Sequence, residues 1–146
     1  MNYALALEGL EAEFYSIVMA RPYAGMSSEE NHVLRDIRDH EIVHREFFRA
    51  ALGAKAIPQL EYNFSTVNFN DRTSVLTTAM TFEDLGVAAY NGAGSNIKDP
   101  NILTLAGKIV SVEARHAAAI RDLLYPLTDA FSPAALDGSE GHRGVL

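Results

Sequence analysis

The stretch that decides the fold is residues 39–48, DHEIVHREFF, in which a glutamate and a histidine lie three positions apart. Residues three apart in an α-helix lie one turn apart on the same face, so Glu41 and His44 project in the same direction. The same spacing recurs at Glu113-Ala-Arg-His116. Apolar residues continue the face of each pair, which predicts that both pairs point into a helical core.

Turn and capping residues divide the chain around these pairs into four predicted helices. The first runs over residues 2–20 and stops before Arg21-Pro22, and the second runs from a capping box at Ser27 and Glu30 to Gly53. The third runs from Asp71 to Asn91-Gly92, and the fourth from Asp99-Pro100 to Pro126. We therefore predict an all-α four-helix bundle over 1–125, with a long crossover between helices 2 and 3, and a loosely ordered tail over 126–146.

Four glutamates interrupt the predicted inner faces, one in each helix: Glu8, Glu41, Glu83 and Glu113. In the first helix the apolar residues predicted to face inward are Tyr3, Leu7, Leu10, Phe14 and Ile17. An unpaired buried carboxylate costs several kcal/mol, and no lysine or arginine accompanies these glutamates on the inner faces. A bound metal is the remaining source of positive charge, and His44 and His116 are suitable additional ligands.

The two halves of the chain repeat this pattern. Glu83 and Tyr90 each lie 75 positions after Glu8 and Tyr15, and Glu113-x-x-His116 lies 72 positions after Glu41-x-x-His44. Each tyrosine follows its glutamate by about two helical turns and so shares its face. The repeat predicts two equivalent metal positions with Tyr15 and Tyr90 beside the ligands, although core packing alone would also explain the tyrosines.

Composition excludes several classes of protein. The 146 residues include no cysteine, so there is no disulfide, thiolate metal site or nucleophilic thiol. A formal net charge of −7 disfavours binding to nucleic acid or to anionic membranes. No apolar run has the length of a membrane span, so we expect a soluble protein, cytoplasmic as the sequence stands or periplasmic if an export segment precedes it.

These motifs resemble the di-iron carboxylate signature of the ferritin-like superfamily, which includes rubrerythrins, bacterioferritins and ferritins. The residues NYALALEGLEAEFY (2–15) and DHEIVHREFF are similar to a bacterial branch related to desiccation-associated proteins. The resemblance implies six metal ligands, with no catalytic residue beyond them: Glu8, Glu41, His44, Glu83, Glu113 and His116. Glu41 and Glu113 would bridge two metals, while Glu8 and Glu83 would be terminal ligands.

The function implied by this resemblance is oxidation of Fe(II), or reduction of O2 or H2O2, in iron or oxidative-stress handling. The implied cofactors are two iron ions, with manganese or zinc as alternatives, and we expect a homodimer. The chain lacks a rubredoxin-type four-cysteine module, which removes the rubrerythrin route of electron delivery. A long loop in place of an extra helix also argues against a storage cage.

Several alternatives stand beside this interpretation. Glu11 competes with Glu8 as the ligand of the first helix, whereas Glu13 falls on the outer face. His40-Glu41-Ile-Val-His44 also matches the HExxH motif of zinc hydrolases, in which His40 is a ligand. The glutamates could instead form a polar core, or the metal centre could only stabilise a stress or partner-binding module. His32 and His142 are predicted to be surface residues.

Overall fold

The computed structural model describes residues 1–136, which contain four long helices and no strand. Helix α1 covers Asn2–Ala20, α2 covers Ser28–Leu52, α3 covers Arg72–Gly94 and α4 covers Pro100–Leu124. Short 3-10 helices follow α2 and α4, at Gly53–Lys55 and Asp129–Phe131. The all-α prediction and the long connection between the second and third helices are confirmed.

Local capping chemistry sets most helix ends where the sequence predicts them. The Ser27 hydroxyl accepts a hydrogen bond from the Glu30 backbone amide at 3.0 Å, and the Glu30 carboxylate accepts one from the Ser27 amide at 2.7 Å. The Asp99 carboxylate accepts from the backbone amide of Asn101 at 2.8 Å, at the start of α4. Gly53, with φ of 52°, ends α2 in the left-handed region.

Helix α3 ends later than predicted, at Gly94 rather than at Asn91-Gly92. Gly92 does not take a positive φ, so it does not form the left-handed cap that would stop the helix. The helix instead continues through Ala93, a strong helix former.

The described chain divides into two compact units, Met1–Thr78 and the residues from Ala79 onward, with the division inside α3. In the first unit α1 packs against α2. The connection after α2 contributes an aromatic cluster, in which Phe14 lies 5.9 Å from Phe64 and 5.7 Å from Phe69 between ring centroids. Glu30 accepts a hydrogen bond from Arg72 Nε at 2.5 Å, which joins the start of α2 to the start of α3.

The prediction of the buried face of α1 was wrong for Tyr3, which is 47% exposed, and correct for Phe14, while Leu7, Leu10 and Ile17 are half-buried. The buried residues of this helix are Leu5, Glu8, Gly9, Glu11, Ala12, Phe14, Tyr15 and Val18. Alanine and leucine occur on nearly every side of this helix, so apolar spacing alone did not identify which side is covered. The two buried glutamates mark that side better than the leucines do.

In the second unit, the inner faces of α3 and α4 agree with the sequence pattern. Glu83, Val87 and Tyr90 are buried on α3, as are Ile109, Glu113, His116 and Ile120 on α4. On the outside, the Arg121 guanidinium donates to both carboxylate oxygens of Asp84, at 2.6 and 2.5 Å. This ion pair, made by the single nitrogen Nη2, joins the two helices.

The segment after α4 turns back so that the short helix Asp129–Phe131 packs against α4. The predicted tail begins within this segment, and its residues 137–146 lie outside the described residues, so the tail boundary stays a prediction. Among residues 1–136, no helix combines the length and apolar character needed to cross a membrane.

Candidate metal centre

The first unit brings together three of the predicted ligands, which we call the first trio: Glu8, Glu41 and His44. Helix α1 supplies Glu8 and α2 supplies the other two. His44 Nδ1 lies 3.1 Å from Glu8 Oε2 and 3.4 Å from Glu41 Oε2. Both glutamates are fully buried, and the His44 side chain is 14% exposed. All three offer ligand atoms within 4.8 Å of one another.

The second unit contains the corresponding second trio: Glu83, Glu113 and His116. His116 Nδ1 lies 3.3 Å from Glu83 Oε2 and 3.6 Å from Glu113 Oε2. Both glutamates are fully buried, and the His116 side chain is 6% exposed. Their ligand atoms also lie within 4.8 Å of one another. In both trios, one helix supplies Glu-x-x-His and the other a single glutamate, as the internal repeat predicts.

The donor atoms of each trio fit a metal ion. Carboxylate oxygens and imidazole nitrogen are suitable ligands for iron, manganese and zinc. Every lysine and arginine among residues 1–136 is at least partly exposed, so none is buried with these glutamates. A cation bound by each trio would compensate the buried negative charge. Each trio can therefore hold a metal ion.

The alternative candidates lie elsewhere. Glu11 is buried, at 3% exposed, one turn from Glu8, but it does not belong to the clustered ligand atoms found among residues 1–136. Glu13 is exposed, as predicted. His40 is also exposed and lies outside these groups, an arrangement that does not fit the HExxH interpretation. His32 is exposed, whereas His142 lies outside the described residues.

The two tyrosines predicted to lie beside the ligands are both buried. Tyr15 is fully buried on α1, and its ring packs edge-on against Phe14 with centroids 5.2 Å apart. Tyr90 is 8% exposed on α3. Both lie on the helix that supplies the single glutamate of their trio, and a role in orienting the ligands stays a prediction.

A residue that the helical pattern did not indicate also contacts the helix of Glu8. Tyr62, in the connection after α2, donates a hydrogen bond from its hydroxyl to the Ala6 carbonyl at 3.1 Å. Its ring lies against Gly9, where an added Cβ would overlap the tyrosine hydroxyl oxygen. Burial raises the pKa of Tyr62. The available signal in the sequence was Gly9 itself, a glycine inside a helix otherwise rich in alanine and leucine.

Helical architecture and the two trios define an all-α protein with a carboxylate and histidine site. A family model described as a ferritin-like domain matches residues 1–126. The chain belongs to the ferritin-like domain family, and its fold class is the all-α four-helix bundle predicted from the sequence. A search of curated proteins finds no match to the chain.

Proposed function

We propose that the two trios bind a pair of iron ions and that the protein oxidises Fe(II) with O2 or H2O2. The observation that carries this proposal is the presence of two buried Glu-Glu-His trios on a ferritin-like chain. Burial of four carboxylates with two imidazoles is difficult to explain by core packing, because each charge is costly without a cation. The role we propose is in iron or oxidative-stress handling.

The six residues act as metal ligands in this proposal. His44 and His116 would each bind one metal, with Glu8 and Glu83 as further ligands. Glu41 and Glu113 would each hold metal beside the histidine of the same helix. The proximity of each histidine to both glutamates of its trio supports these assignments. Bound as a pair, iron ions can each supply one electron, so that peroxide is reduced without release of a radical.

The protein around the trios restricts access of water. A bound cation would compensate the negative charge of the fully buried glutamates, so the site favours metal over an empty state. Tyr15 and Tyr90 place buried phenol groups on the same helices, where they can hold ligand carboxylates in position.

Two glutamates one helical turn apart provide a matched test. Glu8→Gln removes a proposed ligand, whereas Glu11→Gln changes an equally buried carboxylate on the same helix that is outside the trio. Loss of an outer-shell partner costs about 10-fold to 100-fold in metal affinity or activity, and loss of a ligand should cost at least as much. We therefore expect Glu8→Gln to lower the rate of Fe(II) oxidation by more than about tenfold.

Glu11→Gln should retain the rate of the unaltered protein. Equal rates in the two variants would contradict the assignment of Glu8. A protein that binds iron and gains thermal stability, yet does not oxidise Fe(II) faster than buffer with either O2 or H2O2, would contradict the catalytic proposal. That result would favour the metal-stabilised module instead.

A further inference from the structure

A turn after the end of α4 presents a leucine to solvent. Leu127 is fully exposed, and among residues 1–136 it is the one residue other than glycine with a positive φ, at 61°. This backbone conformation is unfavourable for leucine because its Cβ approaches the following carbonyl oxygen, whereas glycine and asparagine adopt it more readily. Exposure of a large apolar side chain to water is unfavourable as well. The turn alone therefore does not account for a leucine at this position.

Hydrogen bonds hold this turn on both sides of Leu127. The Thr128 hydroxyl donates to the Tyr125 carbonyl at 2.7 Å and accepts from the Ala130 backbone amide at 3.2 Å. The short helix that follows, Asp129–Phe131, packs against α4. Because a fixed turn carries the exposed side chain, a contact made through Leu127 requires little further ordering of the backbone.

The segment that follows this turn lines an open groove in the second unit. The groove runs between α3, α4 and residues 131–136, and its cavity volume is about 640 Å³. Small side chains make much of its α4 wall: Ala114, Ala117 and Ala118. Phe131 and Leu136, which also line it, are exposed large apolar residues. The groove is therefore an apolar surface with room for a large apolar side chain.

The charges at the groove and at the turn suit a second copy of the chain. Inside the groove, Arg121 donates to both carboxylate oxygens of Asp84, so these two charges compensate each other. Arg115 is exposed on α4 beside the groove, and Asp129 is exposed two positions after Leu127. When Leu127 of one copy enters the groove of another, Asp129 of the first approaches Arg115 of the second. The opposite charges favour this pairing.

We propose that two copies of the chain form a two-fold symmetric dimer in which Leu127 of each copy inserts into the groove of the other. Leu127 follows Arg121, the last groove residue of α4, by six positions, so the leucine and the groove lie at the same end of the second unit. A two-fold axis makes each contact twice, and so satisfies both leucines and both grooves with one pair of surfaces. The dimer uses no metal ligand and does not depend on the proposed oxidation of iron.

The test is analytical ultracentrifugation of the purified full-length protein. Sedimentation should show a concentration-dependent equilibrium between monomer and dimer. A protein that stays monomeric at millimolar concentration would overturn the proposal. Species larger than a dimer would also overturn it, because a leucine and a groove that are not closed by a two-fold axis join the copies into open chains.

Leu127→Asn removes the inserted side chain and keeps a residue that tolerates a positive φ. Burial of one leucine side chain strengthens binding by at least about tenfold, and the dimer loses two, so the dissociation constant should rise by about a hundredfold or more. Leu103→Asn is the matched control, at an exposed leucine of α4 that does not line the groove, and should dimerise as the unaltered protein does. If Leu127→Asn dimerises as strongly as the unaltered protein, the proposed contact is wrong.

Charge reversal tests which residues meet across the dimer. Arg115→Asp and Asp129→Arg should each raise the dissociation constant by about fivefold, because each single change places like charges together at two symmetric sites. The double variant with both changes should recover to within about twofold of the unaltered protein, because the opposite charges are restored. Both positions are exposed, so the folded monomer should tolerate these changes. A double variant that dimerises no better than the single variants contradicts the two-fold arrangement.

Discussion

Replacement of Gly9 by alanine tests how closely the connection packs on the helix that carries Glu8. In the interior of a helix, alanine is ordinarily more stable than glycine by about 1 kcal/mol. At Gly9 the new Cβ would overlap the Tyr62 hydroxyl oxygen and lie 3.2 Å from the ring carbon Cζ. The local gain in helix stability therefore competes with a steric cost.

The steric cost should be the larger of the two. If Tyr62 stays in place, overpacking costs about 1–3 kcal/mol. If it moves away, it loses its hydrogen bond to Ala6, worth about 1 kcal/mol, together with part of its buried ring surface. After subtraction of the helix-propensity gain, we expect Gly9→Ala to lower the free energy of unfolding by up to about 2 kcal/mol.

The assay is urea unfolding followed by the helical circular dichroism signal. Gly107→Ala is a matched control on α4, because an added Cβ there meets nothing within 4 Å, and it should stabilise the protein by about 0.5–1 kcal/mol. In a Tyr62→Ala background, Gly9→Ala should also become stabilising. The reasoning is refuted if Gly9→Ala stabilises the unaltered protein as much as Gly107→Ala does.

Three further predictions concern charged groups. Burial alone would raise the pKa of Glu30, but hydrogen bonds from the Ser27 amide and from Arg72 hold that pKa below its ordinary value of 4.5. The stability that the Glu30 carboxylate contributes is therefore present above pH 4.5 and is lost as the pH falls through the lowered pKa. Melting temperatures measured from pH 6 down to about pH 3 should fall less in Glu30→Gln than in the unaltered protein. The same dependence of melting temperature on pH in both proteins would contradict this role of Glu30. Asp84→Asn should lower the free energy of unfolding by less than about 1 kcal/mol, because the Asp84 side chain is 42% exposed. Urea unfolding measures this difference, and a loss above about 3 kcal/mol would show that Asp84 and Arg121 behave as a buried ion pair. A chelator should lower the melting temperature, and added Fe(II) or Mn(II) should restore it; identical melting curves would show that the glutamates bind no metal.

Features set by local chemistry could be predicted from the sequence. The start of α2 depends on Ser27 and Glu30, and the start of α4 on Asp99 and Pro100, so neighbouring residues suffice to specify them. The helical spacing of Glu41 and His44 likewise placed both on one face. Burial of α1 was harder to predict, because its apolar residues surround the helix and the choice of face is made by tertiary packing.

The role of Tyr62 could not be predicted from helical spacing. Its hydrogen bond joins residues 56 positions apart, and the path of an irregular connection has no periodic pattern. The Tyr62 contact arises only when the chain between α2 and α3 folds back on the first helix. In the shorter connection between α1 and α2, burial and the neighbouring Glu30 carboxylate raise the pKa of Tyr23 to about 12.

The most direct test of the central claim is the number of metal ions held by each chain. After anaerobic loading with Fe(II) and removal of the excess, elemental analysis should find two ions per chain in the unaltered protein. His40→Ala, at an exposed position outside both trios, should also retain two, whereas Glu113→Ala should not. One ion per chain in the unaltered protein, or loss of metal from His40→Ala with two ions retained by Glu113→Ala, would contradict the paired site.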